Sequence, residues 1–271
     1  MILRCGKYSM PLDKPLVMGV VNVTPDSFSD GGRYFDARAA VAHARRLADD
    51  GADLIDIGGE STRPGSAPVS EGEEMRRVIP VLEGISLEIP VSVDTRRPGV
   101  MKAALAAGAS MINDVEALTS LGALQAVAES QCAVCLMHKK GDPATMQRDP
   151  HYDDLLREVK VFLKESVERV KGAGVAADRI VVDPGFGFGK TALHNLVLLK
   201  HLRELSELPI LAGLSRKSTL GKLTGRPADE RLAGSLAMAL LALQGGARIL
   251  RVHDVRETRD VIAVWEAYQR A

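Results

Sequence analysis

The sequence predicts a single-domain (β/α)8 barrel, on three observations: eight β-rich apolar runs, helix-like segments between them, and a helix-to-strand junction that recurs three times. The copies are Leu47-Ala-Asp-Asp-Gly51-Ala52, Leu105-Ala-Ala-Gly108-Ala109 and Leu243-Gln-Gly-Gly246-Ala247, each followed at once by an apolar strand. Glycine just past a helix end takes the left-handed conformation that satisfies the last carbonyls, so each copy reads as the αβ turn of a repeated βα unit.

Taken in order, residues 1–15 are expected to form a short hairpin closing the barrel bottom. The strand runs are 16–22, 53–58, 90–94, 109–113, 132–137, 179–183, 209–213 and 247–252. The first helix is expected to start near Asp36. The second begins at Ser70, with Glu73 placed to complete a capping box, and the third carries Pro98 in its first turn. Segment 119–130 supplies another helix, and amphipathic stretches cover 152–171, 193–206, 228–244 and 256–270. A length of 271 residues suits one barrel, a fold that typically takes about 250. An open doubly wound sheet is the competing arrangement.

Hydrophobic residues make up 46% of the chain and charged residues 26%, as expected of a globular protein with a large core. Thirty-five basic residues balance thirty-five acidic ones, which leaves no electrostatic footprint for nucleic acid or an anionic membrane. No apolar run approaches the roughly 18 residues of a membrane span, and the first sixteen residues carry charges where a signal core would be apolar, so a cytoplasmic location is expected. Three cysteines do not make a disulfide framework. Cys132 and Cys135 have C-x-x-C spacing but lie on one predicted strand, where residues three apart point to opposite faces.

Nearly every strand exits into a polar group: Asn22, Glu60, Asp94, Asn113, His138, Asp183, the run Ser215-Arg216-Lys217, and Arg251 with His253. In a barrel the C-terminal strand ends gather around one mouth, where active sites lie. Asp94, Asn113 and Asp183 follow apolar runs that should bury them, and a buried carboxylate needs donors. A flat heterocycle with adjacent N–H groups, such as a pterin or guanine-like ring, would supply them. Structural carboxylates paired with barrel arginines are the plainer alternative. Arg251 and His253, two apart on the last strand, share a face, and with Arg63 they point to a phosphate-type anion. Asn22 could add an oxygen ligand for magnesium, which keeps several waters and binds through substrate phosphates. Lys217 could be a Schiff-base nucleophile, a partner for a ring oxygen, or a solvated lysine.

The run Gly185-Phe-Gly-Phe-Gly-Lys190-Thr191 looks like a phosphate loop, but the first glycine of that motif would have to be Pro184. It reads instead as a turn whose backbone passes close to a planar substrate, with Phe186 or Phe188 offering a ring. The loops 24–32 and 61–68, long and rich in turn residues, read as movable lids.

The motifs Asn22-Val-Thr-Pro-Asp-Ser-Phe-Ser-Asp-Gly-Gly32, Asp56-Ile-Gly-Gly-Glu-Ser-Thr-Arg-Pro-Gly65, Val93-Asp-Thr95, Ile112-Asn-Asp-Val115, Asp183-Pro-Gly-Phe-Gly-Phe-Gly-Lys190, Ser215-Arg-Lys-Ser218 and Arg251-Val-His-Asp254 together closely resemble the dihydropteroate synthase family, in order from about residue 15 to the end. The resemblance implies condensation of 4-aminobenzoate with 6-hydroxymethyl-7,8-dihydropterin diphosphate. It implies a pterin site at Asp94, Asn113, Met137, Asp183, Lys217 and Arg251, with diphosphate at Thr62, Arg63, Arg251 and His253 and, through magnesium, at Asn22. Aminobenzoate would meet Pro64, Phe188, Lys217 and Ser218, and Asp94, Arg63 and Lys217 would carry catalysis. A homodimer through helices at the barrel side is implied too. Competing functions are a methyltetrahydrofolate-dependent corrinoid methyltransferase sharing the pterin floor, a Schiff-base aldolase using Lys217, and a non-catalytic pterin-binding protein.

Overall fold

A computed structural model describes residues 1–24, 33–61, 68–142 and 145–271. An antiparallel hairpin of β1 (Ile2–Cys5) and β2 (Tyr8–Pro11) comes first. Eight parallel strands follow: β3 (Leu16–Asn22), β4 (Leu54–Gly58), β5 (Val91–Asp94), β6 (Met111–Asp114), β7 (Ala133–Met137), β8 (Ile180–Asp183), β9 (Leu211–Ala212) and β10 (Ile249–Val252). Their order is β8-β7-β6-β5-β4-β3-β10-β9, and a parallel bridge between Val182 and Ile210 joins β8 to β9. The sheet thus curls back to its own edge as the expected (β/α)8 barrel.

The repeated junction is built as its sequence implies. In each copy the alanine N–H reaches back five residues to a helix carbonyl, Ala52 to Leu47, Ala109 to Ala104 and Ala247 to Ala242, all at 2.9 Å. Gly51, Gly108 and Gly246 hold the left-handed turn with φ of +102°, +98° and +94°. Gly174 makes a fourth copy, with Val175 N–H donating to the Val170 carbonyl at 3.4 Å.

Among the described residues the helices are α1 (Arg33–Asp49), α2 (Glu71–Gly84), α3 (Pro98–Ala106), α4 (Ala123–Ala128), α5 (Leu155–Gly172), α6 (Ala192–Lys200), α7 (Ser218–Thr224), α8 (Leu232–Gln244) and α9 (Val255–Arg270). The one not anticipated is α7, a short helix directly after Lys217, so that two helices join β9 to β10. Ser70 caps α2 by accepting from Glu73 N–H at 3.2 Å. The reciprocal half of the expected capping box is absent from the bonds seen, because the Glu73 carboxylate turns to Arg76 and Arg77. A complete capping box occurs at α6 instead, between Thr191 and His194.

Strand alternation divides the apolar residues in two. Outward-facing Val17, Ile55, Ile57, Val93, Ile112, Val134, Leu136 and Leu250 pack under the helices. Inward-facing Met18, Leu54, Met111, Ala133, Cys135, Val181, Leu211 and Ile249 fill the lower barrel, where they meet Leu3, Cys5, Met10 and Leu12 from the hairpin and its exit. The hairpin therefore plugs the N-terminal end. It is pinned there by Gly6 N–H to the Gln131 carbonyl at 3.1 Å and by the Cys5 thiol to the Ser110 carbonyl at 3.3 Å. Cys132 and Cys135 fall in the outer and inner clusters respectively, on the opposite faces expected of their spacing.

Leu3 is only 1% exposed within this plug. Leu3→Ala is expected to cost about 2–5 kcal/mol in urea-induced unfolding. A loss below about 1 kcal/mol would show that the hairpin lies on the barrel without belonging to its core.

Candidate active site

Above the apolar plug the inward positions turn polar. Pairing places Asn22 opposite Gly58, Gly58 opposite Asp94 and Asp94 opposite Asn113, whereas Met137 pairs with Asp183 two residues beyond Cys135, the partner of Asn113; all lie toward the C-terminal rim. A cleft of about 350 Å³ opens there, lined by Asp94, Asn113, Val115, Met137, Asp183, Phe188, Gly213, Lys217 and Arg251. All six residues expected around a pterin ring line it together.

Arg251 crosses the floor from β10. Its Nε donates to Asp56 Oδ2 at 2.6 Å and its Nη2 to Asp94 Oδ2 at 2.9 Å. Asn113 Nδ2 donates to the same Asp56 oxygen at 3.1 Å. Asp56 Oδ1 is buried without a hydrogen-bond partner among the described residues. Burial, aided by Asp56, pushes the Asp94 carboxyl up to about 7 against the pull of Arg251, and burial also raises Asp183. Asp183 Oδ1 accepts from Gly185 N–H at 2.7 Å, which anchors the start of the glycine-rich turn. At the cleft's edge Lys217 Nζ lies 4.4 Å from the centre of the Phe188 ring.

The other expected residues divide into three groups. His253 lies at the end of the last strand, its Nδ1 3.1 Å from Ser215 Oγ, and Asn22 ends β3. Ser218 is the exposed first residue of α7. Thr62, Arg63 and Pro64, with most of both proposed lid loops, lie outside the described residues.

The pterin binding enzyme family profile matches residues 18–253. The dihydropteroate synthase of Escherichia coli K12 is 50% identical over 263 residues, 96% of this chain and 93% of the relative. The chain belongs to the dihydropteroate synthase family of pterin-binding enzymes. The enzyme of Neisseria meningitidis serogroup B is 49% identical, covering 98% of this chain and 97% of its own. Among solved structures, Yersinia pestis dihydropteroate synthase with a sulfonamide drug complex superposes with a TM-score of 0.95 at 47% identity, covering all of both chains. The Xanthomonas albilineans enzyme in complex with 7,8-dihydropteroate gives 0.92 at 51% identity over the full length of both.

Within this dihydropteroate synthase family member, sequence reasoning missed three parts of the site. Asp56 was readable as a carboxylate interrupting an apolar strand, but its role was not. Gly213 follows β9 and lines the cleft, where an added Cβ would make only ordinary van der Waals contact, 3.9 Å from Arg251 carbons and 4.0 Å from Asp183 Oδ2, so packing gives no signal for it. Val115 carries no chemical signal and is placed by the turn after β6.

The Asp94 carboxyl holds a proton below about pH 7 and is anionic above it, and only the anion accepts two N–H groups. Affinity for a pterin that does not itself titrate is therefore expected to fall about tenfold from pH 8 to pH 6, measured by titration calorimetry. Asp94→Asn should remove most of that dependence. Wild-type affinity flat across the same range would contradict this account of the floor.

Proposed function

We propose that the protein joins the amino group of 4-aminobenzoate to the methylene carbon of 6-hydroxymethyl-7,8-dihydropterin diphosphate, giving 7,8-dihydropteroate and diphosphate in folate synthesis. The observation that carries this reading is the convergence of Asp94, Asn113, Asp183, Lys217 and Arg251 on one cleft. In support stand the Xanthomonas albilineans relative solved with 4-aminobenzoic acid, at 53% identity and a TM-score of 0.94, and the one solved with 7,8-dihydropteroate.

In this reading Asp94 and Asp183 accept N–H groups of the ring, each charge-assisted bond contributing roughly 1.5–3 kcal/mol, and Asn113 fixes its edge. Lys217 faces a ring oxygen, and Met137 lines the pocket. Arg251 stacks against the ring and contributes charge to the diphosphate through N–H groups beyond those given to Asp56 and Asp94. Thr62, Arg63 and His253 hold the departing diphosphate. Aminobenzoate rests against Phe188, Pro64, Lys217 and Ser218.

The substitution is dissociative: the C–O bond to diphosphate breaks ahead of C–N bond formation, the pterin carries the transient positive charge, and the arylamine nitrogen then attacks and loses a proton. No side chain forms a covalent intermediate. Orientation and exclusion of water supply most of the assistance, on the order of 7–11 kcal/mol in favourable cases.

Magnesium would enter this site as a substrate-borne ion. Asn22, the last residue of β3, offers a side-chain oxygen at the rim, and the ion would take its remaining ligands from the diphosphate and water. When bound it would neutralise charge on the diphosphate.

Exposed Leu241 on α8 with Val264 and Tyr268 on α9, the last two 70% and 72% exposed, supports a homodimer through these helices. A cytoplasmic location is supported by three free, buried cysteines, which suit a reducing compartment.

Diphosphate release from the pterin substrate should require magnesium, and, because the C–O bond breaks first, a first turnover of release should occur without aminobenzoate, whereas formation of 7,8-dihydropteroate should require it. Asp94→Asn and Arg63→Ala should each lower kcat/KM by about 100-fold or more, equivalent to about 2.7 kcal/mol of transition-state stabilisation. Wild-type turnover in either variant would overturn the assignment, and no diphosphate release from the wild-type protein would leave only a binding function.

A further inference from the structure

We infer that Lys190 is a positioning residue for the arylamine half of the site: its buried ammonium ties the glycine-rich turn to the end of β7 and so fixes Phe188 beneath Lys217. Lys190 is 2% exposed and does not line the cleft. Its three N–H groups meet His138 Nδ1 at 2.8 Å, the Gly185 carbonyl at 3.0 Å and the Phe188 carbonyl at 3.0 Å. A lysine ammonium has three donors, and here each has a protein acceptor.

The turn is pinned at nearly every residue. Asp183 takes Gly185 N–H, Asn195 Oδ1 takes Gly187 N–H at 2.9 Å, Gln147 donates to the Gly187 carbonyl, and Tyr152 donates its hydroxyl to the Gly189 carbonyl at 2.9 Å. A Cβ on Gly185 would collide with the His138 carbonyl, and one on Gly189 with the Lys140 carbonyl, so the turn lies directly on the segment leaving β7. Lys190 is the one side chain among these that grips both the turn's start and Phe188 itself.

The same contacts account for the environment of the pair. Burial and the Lys190 charge depress His138 to about 3, so its ring is neutral and Nδ1 can accept. Burial brings Lys190 down to about 7 although Asp183 favours its charge. An ammonium in so dry a place is retained only where every donor is satisfied. Asp94 and Asn113 belong to strands, independently of Lys190, whereas Phe188 belongs to the turn and packs against Val115, Met137 and Met146.

This inference rests on the proposed reaction for the identity of the arylamine. Lys190→Met keeps the stem and deletes the ammonium. It is expected to raise KM for 4-aminobenzoate by at least about tenfold while KM for the pterin diphosphate changes by less than about threefold. Backbone amides of residues 186–189 should exchange with deuterium at least about tenfold faster, with those of β7 and β8 unchanged. Tyr152→Phe, which removes only the bond to Gly189, should move both readouts the same way by smaller factors. If Lys190→Met does not fold, His138→Phe, which deletes the ring acceptor tying Lys190 to the exit of β7, decides in its place by the same two readouts. Equal losses for the two substrates, or unchanged exchange over 186–189, would overturn the inference. Absence of diphosphate release in the wild type would overturn the reaction instead, and the exchange measurement stands without turnover.

Discussion

The site depends on one guanidinium held inside the barrel. Arg251 reaches from β10 to acids on β4 and β5, and Asn113 on β6 shares one of them, so a single cation ties together strands from separate parts of the chain. Removing one partner from such a buried set would leave a charge uncompensated, at a cost of about 3–5 kcal/mol. Three carboxylates, Asp56, Asp94 and Asp183, nevertheless surround this one floor cation, with Lys217 only at the edge. Burial holds Asp94 and Asp183 above the ordinary carboxylate range, and at Asp94 the neighbouring Asp56 adds to it. A ligand bringing N–H donors relieves the strain, which is why an arrangement that stabilises the empty barrel poorly can bind a nitrogen-rich ring well.

A second charged network holds the rim around this floor. Arg97 bridges Glu60 and Glu74, each at 2.7 Å, while Arg96 and Lys139 meet Glu116 at 3.4 and 2.8 Å. The chain of pairs runs from the exit of β4 to the exit of β7. Glu60 also accepts Val69 N–H at 3.2 Å, so the two ends of the second loop are fastened to one carboxylate. Partial burial and mutual connection make such a network stiffer than isolated surface pairs. It keeps the strand exits in register around the cleft.

How much of this could be read from the residues follows from what depends on local chemistry and what depends on packing. The Gly-Ala junctions are local, since a left-handed glycine closes a helix wherever it occurs, and they gave the barrel. The floor was legible because a parallel barrel brings strand ends together whatever the loops do, so Asp94, Asn113 and Asp183 had to meet. Partner choice was not legible. Arg251 was read as facing an anion, and it does line the cleft, yet its two strongest bonds go to acids whose approach depends on strand stagger. The plainer alternative, acids paired with a barrel arginine, is thus partly realised at Asp56 and Asp94. Glu73 fits a capping box by spacing, but Arg76 and Arg77 lie one turn away and take its carboxylate. Helix α7 was missed because seven residues give too short a period to separate from the next helix.

Lys190 and Lys217 show the same limit from the other side. Both follow glycine- or serine-rich strand exits, and by residue type either could grip an anion. The distinction is made by tertiary burial: Lys217 keeps its ammonium at the face of Phe188, where the cleft is open, whereas Lys190 passes beneath the same residue and spends all three donors on protein. A phosphate-loop reading of Lys190 fails on spacing, and burial explains why no phosphate is needed: the ammonium's counterparts are the His138 ring nitrogen and the Gly185 and Phe188 carbonyls. Phe188 therefore lies between two cations of opposite use, one that holds its backbone still and one that shares its ring with whatever occupies the cleft.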